Sequence, residues 1–208
     1  QVSLWELDDD QTDPEELRAA VERAKRGAER VKQTVRDLTT FARGGLDDSV
    51  ESVRIHSILD LTAQMAETTV EQRGGRIHKD YGDVPDVLAN ESRLNQVFLN
   101  LLVNAAQAFD PDDEGEKRID IVTRTDDKMR VVVEVRDNGA GIPVEIQDKI
   151  FDPFFTTKPV GEGTGIGLSI CHEIVQAIGG EIELESTVGE GTTFTVSLPS
   201  PPSLDHLA

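Results

Sequence analysis

The stretch from Asp152 to Leu168 combines residue types that suit the binding of an anion. Its sequence is DPFFTTKPVGEGTGIGL, with four glycines in seven residues and an apolar pattern of helical spacing directly after them. A glycine-rich loop that opens a helix directs unpaired backbone N–H groups and the positive end of the helix dipole toward an anion. The glycine spacing differs from that of a P-loop, and no strand precedes it as in a dinucleotide-binding loop. Two interpretations stay open, a cradle for nucleotide phosphates and a flexible connector.

Two asparagines are the next candidates for chemistry. Asn100 and Asn104 lie four residues apart in the apolar segment LNQVFLNLLVNAAQAF, so they share one face of a helix. A buried amide without a partner costs roughly 1–3 kcal/mol, so both side chains need a function. They either tie down a loop or line a binding site. An asparagine carbonyl is a hard oxygen ligand that suits Mg²⁺ held otherwise by water and phosphates.

A carboxylate stands at the end of another predicted strand. Asp137 follows VVVEV and precedes Asn-Gly-Ala-Gly. In that position it can accept a hydrogen bond from an exocyclic amine, which favours adenine over guanine. Gly139 and Gly141 would let a base lie against the backbone, because they have no Cβ. Ile142 and Ile146 could supply apolar contact, although the segment alone is also an ordinary turn signal.

Composition narrows the classes of function. The 208 residues are 37% hydrophobic and carry a formal net charge of −19, which argues against a nucleic-acid-binding protein. The single cysteine, Cys171, excludes an internal disulfide, and we expect a buried inert thiol and a reducing, cytoplasmic setting. No apolar run approaches the length of a membrane span, so we expect no direct membrane contact. Because the chain begins at Gln1, we expect a piece of a longer protein, which a membrane segment upstream could anchor.

A helical stem is predicted at the start of the chain, in residues 1–45. Apolar residues recur at alternating steps of four and three from Leu17 to Ala42, which is a heptad seam, and Gly44 and Gly45 end it. A helix from Pro14 to Arg43 would present this seam between densely charged edges. The pattern favours a dimerisation stem over a helix that lies along its own domain. The seam residues are Leu17, Val21, Ala24, Ala28, Val31, Val35, Leu38 and Ala42.

An α/β two-layer sandwich is predicted for residues 46–199, with a mixed five-stranded sheet covered by three helices. A Pro/Ser-rich tail, 200–208, follows it. Apolar periodicity predicts helices at Ile55–Val70, at Glu91–Phe109 and from Gly165 or Ile166 onward. Alternation predicts a strand at Arg76–Tyr81, and further strands are predicted at Asp86–Ala89, Arg118–Thr125, Met129–Arg136, Glu181–Ser186 and Thr192–Leu198.

These motifs, taken in order, resemble the ATP-binding domain shared by sensor histidine kinases, DNA gyrase, Hsp90 and MutL. NQVFLNLLVNAAQAF resembles the N box of that family, DNGAGIP the G1 box, FDPFFTTK the F box and GEGTGIGLSI the G2 box. GEGTTFTVSLP resembles the final strand entry. The complete F and G2 boxes favour the histidine kinase branch. The segment ERAKRGAERVKQTVRDLTTFAR is similar to the second helix of the kinase dimerisation and phosphoacceptor domain, so the resemblance covers about residues 14–199.

The resemblance implies ATP and Mg²⁺ as ligands and assigns roles to the motif residues. Asn104 would coordinate Mg²⁺ with help from Asn100, and Lys158 would reach the terminal phosphates. Asp137 would accept from the adenine amine with Thr192 behind it, and loop amides would hold the phosphate chain. Phe151, Phe154 and Phe155 would anchor a mobile lid. The implied ATP contacts are Asn104, Gln107, Asp137, Gly139, Gly141, Ile142, Ile146, Phe151, Lys158, Gly163, Thr164, Gly165, Ile166, Gly167, Leu168 and Thr192.

Two departures from the family pattern limit what this chain can do alone. Hydrolytic branches carry a glutamate base where Asn100 stands, so intrinsic ATP hydrolysis should be slow. None of the four histidines lies in an H box, so we expect the phosphoacceptor to lie upstream and this chain not to phosphorylate itself. The implied partners are a response regulator and a second copy of the chain. A non-catalytic ATP-binding scaffold and an anti-sigma-type serine kinase stay open as alternatives.

Overall fold

The computed structural model describes residues 15–25, 27, 49–110, 112, 115–158 and 163–200. The described residues divide into two compact units. One contains 15–25 and 27 together with Thr157, Lys158, Gly163 and Thr164, and the other contains the described part of 45–156 and 165–200. The proposed boundaries at residues 45 and 199 stay predictions.

Residues 15–25 and 27 are helical and form α1. The predicted stem helix is therefore helical in the part described, and the rest of Pro14–Arg43 lies outside the described residues. The first seam side chains are open to solvent, with Leu17 44% and Val21 58% exposed.

The second unit contains a five-stranded mixed sheet with helices on one face. Its helices are α2 (Ile55–Gln72), α3 (Glu91–Gln107), the single turn α4 (Val144–Gln147) and α5 (Gly167–Ala177). Its strands are β1 (Glu51–Val53), β2 (Gly75–Tyr81), β3 (Val87–Ala89), β4 (Lys117–Thr125), β5 (Val131–Asp137), β6 (Glu181–Thr187) and β7 (Gly191–Leu198). The predicted two-layer sandwich is confirmed.

The order of strands in the sheet is β2-β4-β5-β7-β6. β2 runs parallel to β4, and every other pair is antiparallel. β1 and β3 form a separate antiparallel pair, of which the sequence indicated only β3. The sheet places the carboxyl end of β5 beside the start of β7, and the turn DNGAG begins at this edge.

The core lies between the sheet and α2, α3 and α5. Phe98, Leu101 and Leu102 of α3 are fully buried against Ile119 and Ile121 of β4. Asn90 caps α3, because its side chain accepts a hydrogen bond from the backbone N–H of Arg93 over 3.0 Å. The helix therefore begins at a defined residue.

Most elements differ from the predicted ones by one or two residues at a boundary, and the starts of β5 and α5 are two examples. Met129 was predicted to open β5, but it lies in the turn before it with a φ of 61°. The side chain of Asp126 accepts hydrogen bonds from the backbone N–H groups of Lys128 and Arg130, over 2.9 Å and 2.8 Å, and this lengthens the turn. α5 begins at Gly167, with Ile166 as its N-cap.

Among the described residues, no helix combines the length and the apolar character that crossing a membrane requires.

Candidate functional site

Asp137 is the last residue of β5 and lies between two strands. It pairs with Ile119 of β4 and with Thr192 of β7. The backbone N–H of Gly139 donates to its Oδ1 over 2.9 Å. Burial raises the pKa of the Asp137 carboxyl to about 6, although hydrogen bonds from the backbone N–H groups of Gly139 and Thr192 act in the opposite direction. At neutral pH the group is a carboxylate with little water around it, which makes it a strong acceptor for a ligand N–H.

The loop after Asp137 lies against the end of α3. The backbone N–H of Ala140 donates to the carbonyl oxygen of Ala108 over 2.9 Å. A Cβ on Gly139 would lie 2.7 Å from that same oxygen, so the close approach needs glycine. Gly141 has a φ of 71°, and a Cβ there would overlap the carbonyl of Thr187. Both glycines are therefore required by the fold, whatever they contribute to a ligand.

A network around Ser186 connects this loop to β6 and β7. Its Oγ accepts from the backbone N–H of Ile142 over 2.8 Å and donates to the carbonyl of Gly191 over 2.9 Å. The same Oγ lies 3.0 Å from Oγ1 of Thr192, which is 4% exposed. Gln147 of α4 donates from Nε2 to the carbonyl oxygens of Ile142, over 2.8 Å, and of Ser186, over 3.0 Å.

The polar face of α3 carries Asn100, Asn104 and Gln107, and all three are half-buried. The Nδ2 of Asn100 donates to the carbonyl oxygen of Gly167 over 3.2 Å. Asn100 thus holds the loop before α5 in place, which is one of the two roles that the sequence suggested for the asparagines. Its carbonyl oxygen and that of Asn104 lie on the same face, one turn apart, where they can serve as hard oxygen ligands.

The glycine-rich loop rejoins the sheet domain beside the F-box segment. The backbone N–H of Phe154 donates to the carbonyl oxygen of Gly165 over 2.8 Å. Both residues have positive φ, 70° and 66°, and a Cβ on Gly165 would overlap the backbone of Phe154. Gly167 is different, because an added Cβ would make only ordinary contacts with the Asn100 amide, the nearest at 3.7 Å. The fold itself does not require glycine at 167.

Two of the three F-box phenylalanines pack as expected. Phe151 and Phe155 are half-buried against the core, and the ring of Phe151 lies 5.4 Å from that of His172 and 6.4 Å from that of Phe194. Phe154 differs from the expectation, since its side chain is 65% exposed and its contact with the loop is made by the backbone. The lid itself, 159–162, lies outside the described residues.

The structure brings most of the predicted ATP-contact residues into one domain. Lys158, Gly163 and Thr164 belong to the other compact unit, and their roles stay predictions. In the sheet domain, Ile166 is buried, while Ile142, Ile146 and Leu168 are half-buried around the same edge. The predicted contacts that belong to the sheet domain are Asn100, Asn104, Gln107, Asp137, Gly139, Gly141, Ile142, Ile146, Phe151, Gly165, Ile166, Gly167, Leu168 and Thr192.

The residues of this edge suit a metal that arrives with its ligand. Among the described residues, no group of three or more His, Cys, Asp or Glu side chains is placed to hold a metal ion. The amide oxygens of Asn100 and Asn104 are too few to hold Mg²⁺ alone, but they suit an ion that phosphates and water also coordinate. The donor set therefore fits a magnesium nucleotide better than a resident metal.

Sequence reasoning missed three polar residues that shape the site. Asn138 accepts from the backbone N–H of Arg118 over 2.7 Å and donates to the carbonyl of Glu116 over 2.6 Å, which ties the turn to β4. Gln147 and Ser186 were not singled out. A signal for Ser186 exists, since it continues the inward alternation of Ile182 and Leu184 along β6 and is the polar member of that row.

Cys171 is buried, and two of the described histidines have defined side-chain contacts. Cys171 is fully buried, and burial raises the pKa of its thiol to about 12, which confirms the inert thiol. His56 stacks on Tyr81 with ring centroids 4.6 Å apart, and its Nε2 lies 3.0 Å from the Oγ1 of Thr123. His172 lies 3.1 Å from the side-chain nitrogen of Gln176.

Comparison with known proteins identifies the relatives of this arrangement. The model of the family "Histidine kinase-, DNA gyrase B-, and HSP90-like ATPase" matches residues 89–202. The sensor kinase CckA of Brucella abortus (strain 2308) is 36% identical over 191 residues, which are 84% of this chain and 20% of CckA. The chain thus spans about a fifth of the length of that relative.

Solved structures match the fold over a larger share of the chain. Full-length ShkA in complex with AMPPNP has a TM-score of 0.74 and 26% identity, and the match covers 88% of this chain and 39% of ShkA. Histidine kinase ThkA in complex with the response regulator protein TrrA has a TM-score of 0.72 and 26% identity, and that match covers 92% of this chain and 54% of the ThkA chain.

Proposed function

The chain belongs to the family of histidine kinase-, DNA gyrase B- and HSP90-like ATPases, and on this premise we propose that it is the ATP-binding kinase unit of a sensor histidine kinase. It would transfer the γ-phosphate of ATP to a histidine on a stem helix, for relay to a response regulator. The observation that carries the proposal is the half-buried carboxylate of Asp137, which lies beside Thr192 and accepts a hydrogen bond from the glycine turn that follows it.

Adenine would be recognised at the Asp137 end of the site. An exocyclic amine can donate to the Asp137 carboxylate, whose burial strengthens the interaction relative to water. The half-buried side chains of Ile142 and Ile146 would cover the base, and Gly139 and Gly141 keep the turn backbone close to it. Guanine presents a carbonyl oxygen where adenine has its amine, so two acceptors, this oxygen and the Asp137 carboxylate, would face each other without a hydrogen between them.

The phosphates would lie along the start of α5. Gly167 and Leu168 lie in the first turn of an 11-residue helix with Ile166 as its N-cap, so the positive end of the helix dipole favours an anion there. Asn104, assisted by Asn100, would hold Mg²⁺, which when bound neutralises charge on the phosphates during transfer. Lys158 would add a cation from the lid. Catalysis would then rest on positioning and charge neutralisation.

Asn100 explains why the phosphate would be kept for a histidine. An asparagine amide cannot take a proton from water near neutral pH, so the site has no general base at that position. The Nδ2 of Asn100 is in addition engaged by the carbonyl of Gly167. Hydrolysis of ATP would therefore be slow, and the reaction would wait for the acceptor imidazole.

A second copy and a response regulator are the partners we propose. The exposed side chains of Leu17 and Val21 on α1 would pack in a dimer stem. The likeness to ThkA in complex with TrrA supports docking of a receiver domain. The free, buried Cys171 is compatible with a reducing compartment, which supports a cytoplasmic location.

Phosphorylation of the full-length gene product tests the proposal. With ATP labelled at the γ-phosphate and Mg²⁺, we expect an acid-labile, base-stable label on histidine, and we expect none in the Asp137→Asn variant. The 208-residue chain alone should bind nucleotide without acquiring label. A full-length product that binds ATP but never acquires label would support a non-catalytic scaffold, and an acid-stable label would indicate a serine kinase.

A further inference from the structure

We propose that Ser186 determines the base selectivity of the site by orienting the hydroxyl of Thr192, so that 6-amino purines are accepted and 6-oxo purines are rejected. The inference rests on the proposed function, because it assumes that a purine lies beside Asp137. Ser186 would be a positioning residue, since it acts through Thr192 and does not itself touch the base.

The hydrogen-bonding capacity of Ser186 is filled by three neighbours. A hydroxyl has one hydrogen to donate and two lone pairs to accept with. The backbone N–H of Ile142 can only donate, so it uses one lone pair of Ser186 Oγ. The carbonyl of Gly191 can only accept, so it takes the single hydrogen. The remaining lone pair of Ser186 Oγ faces Oγ1 of Thr192 over 3.0 Å.

This arrangement dictates the direction of the Thr192 hydroxyl. If Ser186 donated its single hydrogen to Thr192, none would be left for the carbonyl oxygen of Gly191. The lone pairs of Ser186 Oγ and of that carbonyl oxygen would then face each other across 2.9 Å. If instead Thr192 donates to Ser186, all three contacts are satisfied. The hydrogen of Thr192 therefore points toward Ser186 and away from the base.

Thr192 is then left with lone pairs to present beside Asp137. The two residues are direct cross-strand partners on β7 and β5, so their side chains are neighbours. Together they form a wall of acceptors, a carboxylate and a hydroxyl oxygen. Such a wall favours a base edge with an amine, or a water that donates to the ring nitrogen, and disfavours a 6-oxo group whose acceptor would be left unpaired.

Without Ser186 the polarity of the wall would change. In Ser186→Ala the Thr192 hydroxyl loses its acceptor, and its hydrogen is free to turn toward the base or toward the carboxylate of Asp137. A hydrogen turned outward can donate to a 6-oxo group, while one turned to Asp137 competes with the amine of adenine. Both changes reduce the preference for 6-amino purines over 6-oxo purines.

Titration calorimetry of the 208-residue chain with ADP and with IDP, both in Mg²⁺, tests the proposal. IDP differs from ADP only at the purine edge that this wall faces. We expect the wild type to prefer ADP. In Ser186→Ala the affinity for ADP should fall roughly fivefold, as for the loss of one hydrogen bond, and the ratio of ADP to IDP affinity should fall by about tenfold. Ser186→Thr keeps the hydroxyl and should retain the ratio.

A matched control separates orientation from general damage. Gln147→Leu removes the clamp on the carbonyls of Ile142 and Ser186 but leaves the hydroxyl chain intact, so it should weaken ADP and IDP by the same factor. If Ser186→Ala behaves like this control, or leaves both affinities unchanged, the proposal is wrong. If Ser186→Ala does not fold, Thr192→Val removes the Thr192 hydroxyl that Ser186 would orient. An unchanged ratio of ADP to IDP affinity in Thr192→Val would also overturn the proposal.

The outcomes distinguish this proposal from the function on which it rests. A wild-type chain that binds neither nucleotide contradicts the proposed function and the selectivity together. A wild type that prefers ADP, with a Ser186→Ala variant of equal preference, leaves the ATP site standing and removes only the role of Ser186. A wild type that binds ADP and IDP equally also overturns that role.

Discussion

The side-chain Nδ2 of Asn100 donates a hydrogen bond to the backbone carbonyl oxygen of Gly167 across 3.2 Å, and this contact ties α3 to the first turn of α5. The two residues are 67 positions apart in the chain. One belongs to the N box and the other to the glycine-rich loop, so two motifs of the candidate site are joined directly. Asn104 lies one helical turn further along the same face of α3.

The two asparagines should respond differently to substitution. Asn100→Ala removes the hydrogen bond to Gly167 and should lower the free energy of unfolding by roughly 1–2 kcal/mol, measured by urea denaturation. Asn104→Ala should change stability by less than about 0.5 kcal/mol but should abolish the effect of Mg²⁺ on nucleotide affinity. If Asn104→Ala retained a full magnesium effect, its role as the metal ligand would be excluded.

Asp137→Asn should stabilise the fold while removing nucleotide binding. Burial disfavours the charged carboxylate, and its pKa of about 6 measures that cost. An amide is neutral and can still accept from the N–H of Gly139, so we expect a gain of roughly 1–2 kcal/mol in the free energy of unfolding at neutral pH. Thermal unfolding of both proteins without nucleotide is the measurement. A less stable variant would show that the carboxylate serves the fold.

The stability difference between these two proteins should depend on pH. Below the pKa of an unfolded aspartate, about pH 4, the carboxyl is protonated in both the folded and the unfolded state. The difference in stability between the two proteins then reflects only the exchange of a neutral carboxyl for an amide. As pH rises toward 6, the unfolded chain ionises while native Asp137 keeps its proton, so wild-type stability falls relative to the variant. Above about pH 6 the difference should be constant. A pH-independent difference would contradict the raised pKa.

The glycines of the site should separate into two classes. Gly139→Ala places a Cβ 2.7 Å from the carbonyl oxygen of Ala108 and should destabilise the fold by roughly 2–3 kcal/mol. Gly167→Ala meets only ordinary contacts and should leave stability unchanged or slightly raised, because alanine suits a helix better. We expect it nonetheless to weaken nucleotide binding at least tenfold, since the backbone there approaches the phosphates. Normal nucleotide affinity in Gly167→Ala would show that the loop does not bind the phosphates.

The elements of this fold were largely readable because their patterns are local. The short apolar run VVVEV and the helical spacing from Ile55 to Val70 each indicate one element, and both lie where they were expected. The pairing of β1 with β3 was not readable, since three residues make no period and their partner is distant in sequence. The turn α4 follows Pro143 as four residues, too short for any helical pattern to show.

The candidate site was readable as a set of motifs but not as a network. Spacing placed Asn100 and Asn104 on one face of α3, yet nothing local indicated that the Asn100 amide donates to Gly167. Ser186 lay outside every motif, and its importance depends on three neighbours from two other strands or loops. Contacts of this kind depend on the register of β6 and β7, which tertiary packing sets.

A calorimetric titration of the 208-residue chain with ADP in the presence of Mg²⁺ shows whether Asp137 holds an adenine nucleotide. We expect a saturable heat with a dissociation constant in the micromolar range for the wild type, and no heat for Asp137→Asn although that variant is folded. A wild-type chain that gives no binding heat, or an Asp137→Asn chain that binds ADP as tightly as the wild type, would contradict this expectation.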